Sequence, residues 1–141
     1  GRRGVEGYRA AGYGANLQEY VESASEEVLT IVQVESERGV ENVAEIAAVN
    51  GVDALFIGPV DLSASLDVFG DYDADAMQDA VERIVDAADE ANTPVGTLAT
   101  SRAEVGVRDD WGVDFLAMGP DLAMLGETSR DYLSTYRGRH E

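Results

Sequence analysis

Residues 51–59 read GVDALFIGP, and residues 112–120 read GVDFLAMGP. The two stretches agree at Gly-Val-Asp, at Leu and at Gly-Pro, and they begin 61 residues apart. In each, a short apolar run stands between turn-forming residues, which predicts a buried strand followed by a sharp turn. Because 61 residues is the length of two strand–helix units, the repetition indicates a fold assembled from successive β/α pairs.

Four apolar runs are predicted as parallel strands covered on both faces, because they lack the polar alternation of a half-exposed strand. They are residues 28–34 (VLTIVQV), 54–58 (ALFIG), 95–99 (VGTLA) and 115–119 (FLAMG). Helical spacing or helix start signals predict five helices among them. The first three are residues 17–23, a helix from Val40 to a stop at Asn50-Gly51, and residues 77–88. The last two are a helix that begins at a capping box over 101–104 and a helix over 122–136.

The order of one helix followed by four β/α pairs predicts an α/β fold with parallel strands of the TIM-barrel type. A complete eight-stranded barrel takes about 250 residues, so the 141 residues account for about half of one. Residues 1–141 are therefore predicted to form a single domain. It is either the C-terminal half of a longer (β/α)₈ protein or a half-barrel that pairs between chains.

The charge composition limits the partners. The chain has 28 Asp and Glu against 10 basic residues, all of them Arg, for a net charge of −18. Such a surface repels nucleic acid and anionic membranes, so neither partner is expected. No transmembrane segment or signal peptide is predicted, and the chain contains no Cys. The composition resembles that of haloarchaeal cytosolic proteins, which favours a cytoplasmic location and a solvated acidic surface.

Two acidic residues follow neighbouring predicted strands. Ile31, Gln33 and Glu35 share one face of the first strand, and that face becomes polar only at its carboxyl end. Asp61 follows the second strand after Gly58, where glycine permits a sharp turn. Carboxyl ends of parallel strands meet at one edge, where two carboxylates suit Mg²⁺ or Mn²⁺. Spacing alone leaves open that Glu35 only begins an exposed loop and that Asp61 only caps a helix.

These stretches resemble a known family. Gln33-Val34-Glu35, Gly51-Val52-Asp53 and residues 56–63 (FIGPVDLS) are similar to the HpcH/HpaI aldolase/citrate lyase family, especially its 2-keto-3-deoxy sugar-acid and 4-hydroxy-2-oxoacid aldolases. Arg2-Arg3-Gly4-Val5 resembles a segment from the middle of that family's barrel. The likeness spans nearly the whole chain but only the C-terminal part of the family's barrel.

The resemblance implies a role for each matching residue. Glu35 and Asp61 match the two carboxylates that hold a divalent metal, and Gln33 matches a polar residue near the pyruvyl oxygen. Val60 and Asp61 match positions whose backbone amides hold the substrate carboxylate. Leu98 and Pro120 match residues that line the substrate pocket, although relatives often carry an aliphatic residue in place of Pro120.

The implied activity is a metal-dependent (class II) aldolase that cleaves a 2-oxo-4-hydroxy acid to pyruvate and an aldehyde, with Mg²⁺ or Mn²⁺ as cofactor. A bound cation stabilises the enolate charge of such a reaction. The chain contains no Lys, so it cannot itself supply the Schiff-base residue of the alternative, imine-forming mechanism.

The sequence departs from the family at the catalytic residues. The family's His base and its Arg that polarises the keto oxygen have no match here, so no catalytic residue is assigned. His140 stands beside the C-terminus and is expected to be an exposed tail residue rather than a catalyst. A citrate lyase β-like acyl-CoA lyase and a non-catalytic half-barrel assembly module are the alternative functions. A homo-oligomer is expected, because a half-barrel leaves two sheet edges and an apolar face uncovered.

Overall fold

The computed structural model describes residues 7–139, apart from the side chains of Ala10 and Ser25. The chain forms two compact units, which are divided between Thr30 and Ile31. The first unit contains a 3₁₀ turn over Arg9–Gly14 and helix α1, Leu17–Glu27. The helix predicted at 17–23 is therefore confirmed and continues for about one further turn.

The second unit is built on a four-stranded parallel sheet. Its strands are β1 (Ile31–Val34), β2 (Ala54–Ile57), β3 (Val95–Ala99) and β4 (Phe115–Met118), and they lie side by side in chain order. Adjacent placement of consecutive parallel strands is the arrangement of a (β/α) barrel wall. The predicted fold class is confirmed.

The first strand is shorter than the sequence predicted. Val28 ends α1, and Val28 and Leu29 are 47% and 73% exposed, so these apolar residues belong to the connection between helix and sheet. Pairing with β2 begins only at Ile31, opposite Ala54. Apolar character alone did not mark the point at which pairing starts, because an apolar residue need not be buried.

Six helices accompany the strands: α2 (Glu37–Glu41), α3 (Val43–Ala47), α4 (Pro59–Ser65), α5 (Asp75–Ala91), α6 (Arg102–Asp109) and α7 (Asp121–Arg137). The single helix predicted from Val40 is broken into α2 and α3 at Asn42, whose side-chain amide donates to the carbonyl of Arg38 at 2.6 Å. A side chain that binds nearby backbone in this way competes with regular helix. No helix within residues 7–139 combines the length and the apolar character that crossing a membrane requires.

The core lies on one face of the sheet. Leu55 and Ile57 of β2 are fully buried against a cluster that includes Met77 and Ile84 of α5. Most side chains on the opposite face, Ala54 excepted, keep partial or full exposure, namely Ile31, Gln33, Phe56, Leu98, Phe115 and Ala117. The prediction that the strands are covered on both faces therefore holds for one face only among the described residues, because apolar runs along a strand do not reveal whether a partner element lies on each side.

The repeated Gly-Val-Asp is a structural start signal for a strand. Gly51 and Gly112 both adopt positive φ, +93° and +78°, which favours glycine over any residue with a Cβ. Asp114 then accepts a 2.8 Å hydrogen bond from the backbone N–H of Val95, while its own N–H donates to the Val95 carbonyl at 2.7 Å. These bonds fix the start of β4 on β3.

Arg108 of α6 is buried between two aromatic rings. It is 1% exposed, and its guanidinium carbon lies 4.1 Å from the centre of the Tyr72 ring and 4.3 Å from that of Trp111. Its Nε and Nη1 atoms are buried and have no hydrogen-bond partner in the described part of the chain. The two rings stabilise the buried guanidinium by cation–π contacts, and the nearby charge of Glu104 adds an electrostatic interaction. Trp111 is itself buried.

The capping box predicted at the start of α6 forms only in part. Ser101 makes no side-chain capping bond, whereas the Glu104 carboxylate accepts from the backbone N–H and the hydroxyl of Thr100, at 2.7 and 2.8 Å. Partial burial acts to raise the pKa of Glu104, but these bonds and the Arg108 charge outweigh it, and the pKa lies below its usual value.

We expect Glu104→Gln to lower the free energy of unfolding by about 1 kcal/mol at neutral pH, the usual effect of losing a helix cap. A carboxyl with a lowered native pKa stabilises the fold above its unfolded-state pKa, and this stabilisation is lost as the pH falls through the native pKa. Urea unfolding at neutral and acidic pH therefore should show a gap between variant and wild type that closes on acidification. A gap that persists at low pH would contradict this role.

Candidate metal and substrate site

The six residues predicted for the site all lie at the carboxyl ends of the strands or just beyond them. They are Gln33 near the end of β1 and Glu35 just after it, Val60 and Asp61 after β2, Leu98 near the end of β3, and Pro120 after β4. Since all four strands are parallel, these ends form one edge of the sheet, which we call the carboxyl edge. In parallel barrels this edge carries the reactive groups.

Gln33 and Glu35 lie on the same face, as the strand alternation predicted, and they contact each other. The Gln33 side-chain amide donates to Oε2 of Glu35 at 2.8 Å, and both side chains are solvent-exposed. The amide thereby restricts the orientation of the Glu35 carboxylate without cancelling its charge. Gln33 is the one polar residue within β1, and Glu35 follows directly after the strand.

Gly58 links β2 to α4 for a reason that differs from the predicted one. Its φ and ψ are −93° and 88°, so no left-handed conformation requires glycine here. A Cβ at this position would lie 2.5 Å from Nε2 of Gln33 and 3.0 Å from Cβ of Glu35. The position needs glycine for space, because two side chains of the site fill the place that its own side chain would take.

Asp61 is the third residue of α4, and Gly58 is the N-cap, so the interpretation of Asp61 as a helix cap is wrong. Asp61 is exposed in the first helical turn, where a carboxylate is favoured by the helix dipole. One turn later, Ser65 accepts a 2.9 Å hydrogen bond from the backbone N–H of Glu37. Residues four apart lie on one side of a helix, so the side of α4 that carries Asp61 contacts the segment that follows Glu35.

An aromatic layer lies next to these polar groups on the same sheet face. Gln33, Phe56, Gly96 and Phe115 are in register across the four strands. The rings of Phe56 and Phe115 have centroids 6.2 Å apart, and the Phe115 ring fills the space where a Gly96 side chain would stand. The polar groups therefore border this aromatic layer, which was not predicted from the sequence. Strand alternation was the available signal, since it places Phe115 and Ala117 on one face.

The remaining predicted pocket residues occupy the other half of the edge. Leu98 is half-buried on the face that carries Phe56, and Pro120 is exposed at the N-cap of α7. The structure places both on the carboxyl edge but shows no contact of either with Glu35 or Asp61 among the described residues. Their predicted role in lining a pocket stays a prediction.

The donor set at the edge fits a hard divalent cation in number and chemistry. Glu35 and Asp61 supply carboxylate oxygens, the ligands that Mg²⁺ and Mn²⁺ prefer, and two such ligands leave positions for water and a chelating substrate. No group of three or more His, Cys, Asp or Glu side chains arranged to hold a metal occurs within residues 7–139. Any ion at this edge therefore needs ligands from outside these side chains.

Three residues considered from the sequence fall outside the described residues. They are Arg2 and Arg3, in the segment Arg2-Arg3-Gly4-Val5, and His140. The described part of the edge accordingly supplies acidic, amide and apolar groups, and the assignment of a catalytic base stays open.

Comparison with known proteins identifies the family to which the chain belongs. A model of the HpcH/HpaI aldolase/citrate lyase family matches residues 3–127. The chain is 44% identical over 138 residues to a hydroxypyruvate/pyruvate aldolase of Paraburkholderia phytofirmans, covering 97% of this chain and 53% of that protein. It is 33% identical over 137 residues to a 5-keto-4-deoxy-D-glucarate aldolase of Escherichia coli, covering 97% and 54%.

A solved structure shows the same likeness in three dimensions. An HpcH/HpaI aldolase/citrate lyase family protein from Burkholderia cenocepacia superposes with a TM-score of 0.84 at 38% identity, over 97% of this chain and 53% of that one. The chain thus spans about half the length of the relatives that it matches.

Proposed function

Since the chain belongs to the HpcH/HpaI aldolase/citrate lyase family, we propose that it forms the metal-binding half of a class II aldolase. The reaction is cleavage of a 2-oxo-4-hydroxy acid to pyruvate, or a close analogue, and an aldehyde. Two similar proteins named as aldolases, one for hydroxypyruvate and pyruvate and one for 5-keto-4-deoxy-D-glucarate, support this substrate class.

The observation that carries the proposal is the position of Glu35 and Asp61. They follow adjacent strands, and the segments that bear them are joined by the hydrogen bond between Glu37 and Ser65. Two exposed carboxylates that converge from adjacent strand ends would repel, in a chain whose net charge is already −18, and a bound cation would relieve that repulsion. Glu35 and Asp61 would hold Mg²⁺ or Mn²⁺.

The chemistry divides between the ion and the chain. When bound, a divalent cation stabilises negative charge that develops on the oxygens of a 2-oxo acid. Gln33 orients Glu35 through its 2.8 Å hydrogen bond. The backbone amides of Val60 and Asp61, in the first turn of α4, lack helical acceptors and are proposed to bind the substrate carboxylate. The apolar layer of Phe56 and Phe115 is proposed to border the substrate on the same sheet face as Gln33.

The proposal includes completion of the barrel. β1 and β4 are the edges of the described sheet, and unpaired parallel edges are unstable in isolation. We propose that further β/α units pair with these edges and supply the catalytic base and the group that polarises the keto oxygen. Association of several copies, as a homo-oligomer, is part of the same proposal.

Metal removal tests the activity. The chain is assayed with the unmatched half of the Paraburkholderia phytofirmans relative supplied as a separate polypeptide, and pyruvate release from a 2-oxo-4-hydroxy acid is followed. We expect EDTA to lower the rate at least about a hundredfold and Mn²⁺ to restore it, because a bound cation lowers the activation barrier by several kcal/mol.

Three results would contradict the proposal. They are pyruvate release that is insensitive to EDTA, cleavage of an acyl-CoA thioester in place of the oxo acid, and no turnover of either substrate by the reconstituted pair. The last result would favour a non-catalytic assembly module.

A further inference from the structure

We infer that Gly58 is a positioning residue, which acts through the side-chain amide of Gln33 on the carboxylate of Glu35. The inference rests on the proposed function, because it concerns how this chain orients one of the proposed metal ligands. Gly58 is buried and lies directly after β2, at the carboxyl edge. It contributes no functional group of its own, only space.

Backbone conformation does not explain the glycine. With φ at −93°, an L-residue fits the backbone without strain. The obstacle is steric, since an added Cβ would approach Nε2 of Gln33 to 2.5 Å, closer than real Cβ contacts. By contrast, nothing lies within 4 Å of a Cβ added at Gly106 on α6, where φ is also not positive.

The backbone at Gly58 is held by hydrogen bonds on both sides, which oppose its movement. Its N–H donates to the Val34 carbonyl at 3.1 Å, and its carbonyl accepts from the N–H of Leu62 at 2.9 Å. The first bond belongs to the strand pairing and the second to α4. The mobile partner is therefore the Gln33 side chain.

The Gln33 atom that a Cβ would displace is the atom that binds Glu35. Nε2 donates to Oε2 of Glu35 at 2.8 Å. Displacement of this amide removes the donor that fixes the carboxylate orientation. Partners of this kind, which orient a metal ligand without touching the metal, commonly change metal affinity by about ten- to a hundredfold.

The first test needs no metal. In the metal-free chain, the Gln33 side-chain NH₂ resonances are assigned by ¹⁵N NMR and compared among wild type, Gly58→Ala, Glu35→Gln and the control Gly106→Ala. We expect Gly58→Ala and Glu35→Gln to shift these resonances and Gly106→Ala to leave them in place. Unshifted resonances in a folded Gly58→Ala variant would overturn the inference.

The second test measures Mn²⁺ affinity by the EPR signal of the free ion. We expect Gly58→Ala to weaken binding about tenfold. Gln33→Met, which keeps the volume of the side chain but removes the donor, should weaken it equally. Once Gln33 is Ala, adding Gly58→Ala should cause little further loss, because the displaced amide is already absent.

The outcomes separate the two claims. Mn²⁺ binding by wild type together with unchanged affinity in Gly58→Ala or Gln33→Met would overturn the positioning role alone. If the losses of Mn²⁺ affinity caused by Gly58→Ala and Gln33→Ala multiply in the double variant, the positioning role is also overturned. Gly58 would then act independently of the Gln33 amide. If wild type fails to bind Mn²⁺, the proposed function fails, and the positioning role fails with it.

Discussion

Replacing Arg108 by Ala is expected to lower the free energy of unfolding by about 3 kcal/mol, the usual range for emptying a large buried site. The side chain is 1% exposed and lies between the rings of Tyr72 and Trp111. The substitution leaves a cavity and removes two cation–π contacts. Urea denaturation, followed by the fluorescence of the single Trp, measures the loss.

Arg108→Met separates packing from charge. Methionine restores most of the apolar volume, and it also removes the buried Nε and Nη1 atoms that lack partners. We expect a loss of about 1 kcal/mol, smaller than for Ala, because relief of unpaired donors offsets part of the lost cation–π energy. Arg102→Ala, at an exposed position on the same helix, is the control. Equal losses for Arg108→Ala and Arg102→Ala would contradict the structural role of the sandwich.

Glu35→Gln and Asp61→Asn are each expected to weaken Mn²⁺ binding by at least about tenfold, since each removes a charged oxygen ligand. Gln and Asn keep the size of the side chains, so the fold should be preserved. Isothermal titration in moderate salt measures the affinity, because salt screens diffuse attraction of cations to the acidic surface.

Glu37→Gln is the matched control for these variants. Glu37 is an exposed carboxylate two residues beyond Glu35, and the structure ties it to the fold through its backbone N–H rather than its side chain. We expect this variant to bind Mn²⁺ as wild type does. Comparable weakening by Glu37→Gln would show that the ion responds to overall charge and not to a built pair of ligands.

The strands were predictable because each is a short apolar run bounded by turn residues. The Gly-Val-Asp repeat identified two of them, and positive φ at Gly51 and Gly112 explains why those glycines recur. The helix along Met77–Ala88 was equally clear, since its apolar spacing matches its buried side, and the structure extends it to Asp75–Ala91. Elements that are predicted from local periodicity therefore occur in the structure.

Contacts of single side chains, whether local or between distant segments, were not predictable from the pattern. The break at Asn42 depends on one side-chain bond to Arg38. The burial of Arg108 depends on two rings, one of which, Tyr72, comes from the loop before α5. At the site, Gln33, Glu35 and Asp61 could be identified as candidate residues from the sequence. The steric need for glycine at position 58 could not be identified, because it arises from the side chain of Gln33 on the neighbouring strand.

The central claim, that Glu35 and Asp61 converge on one divalent cation, is tested most directly by paramagnetic broadening. Trace Mn²⁺ is added to ¹⁵N-labelled chain, and amide signals are followed along the sequence. We predict that the signals of Glu35 and Asp61 broaden together at the lowest Mn²⁺ concentration. Broadening at only one of them, or first along the acidic side of α5 at Asp79, Glu82 and Asp86, would contradict the claim.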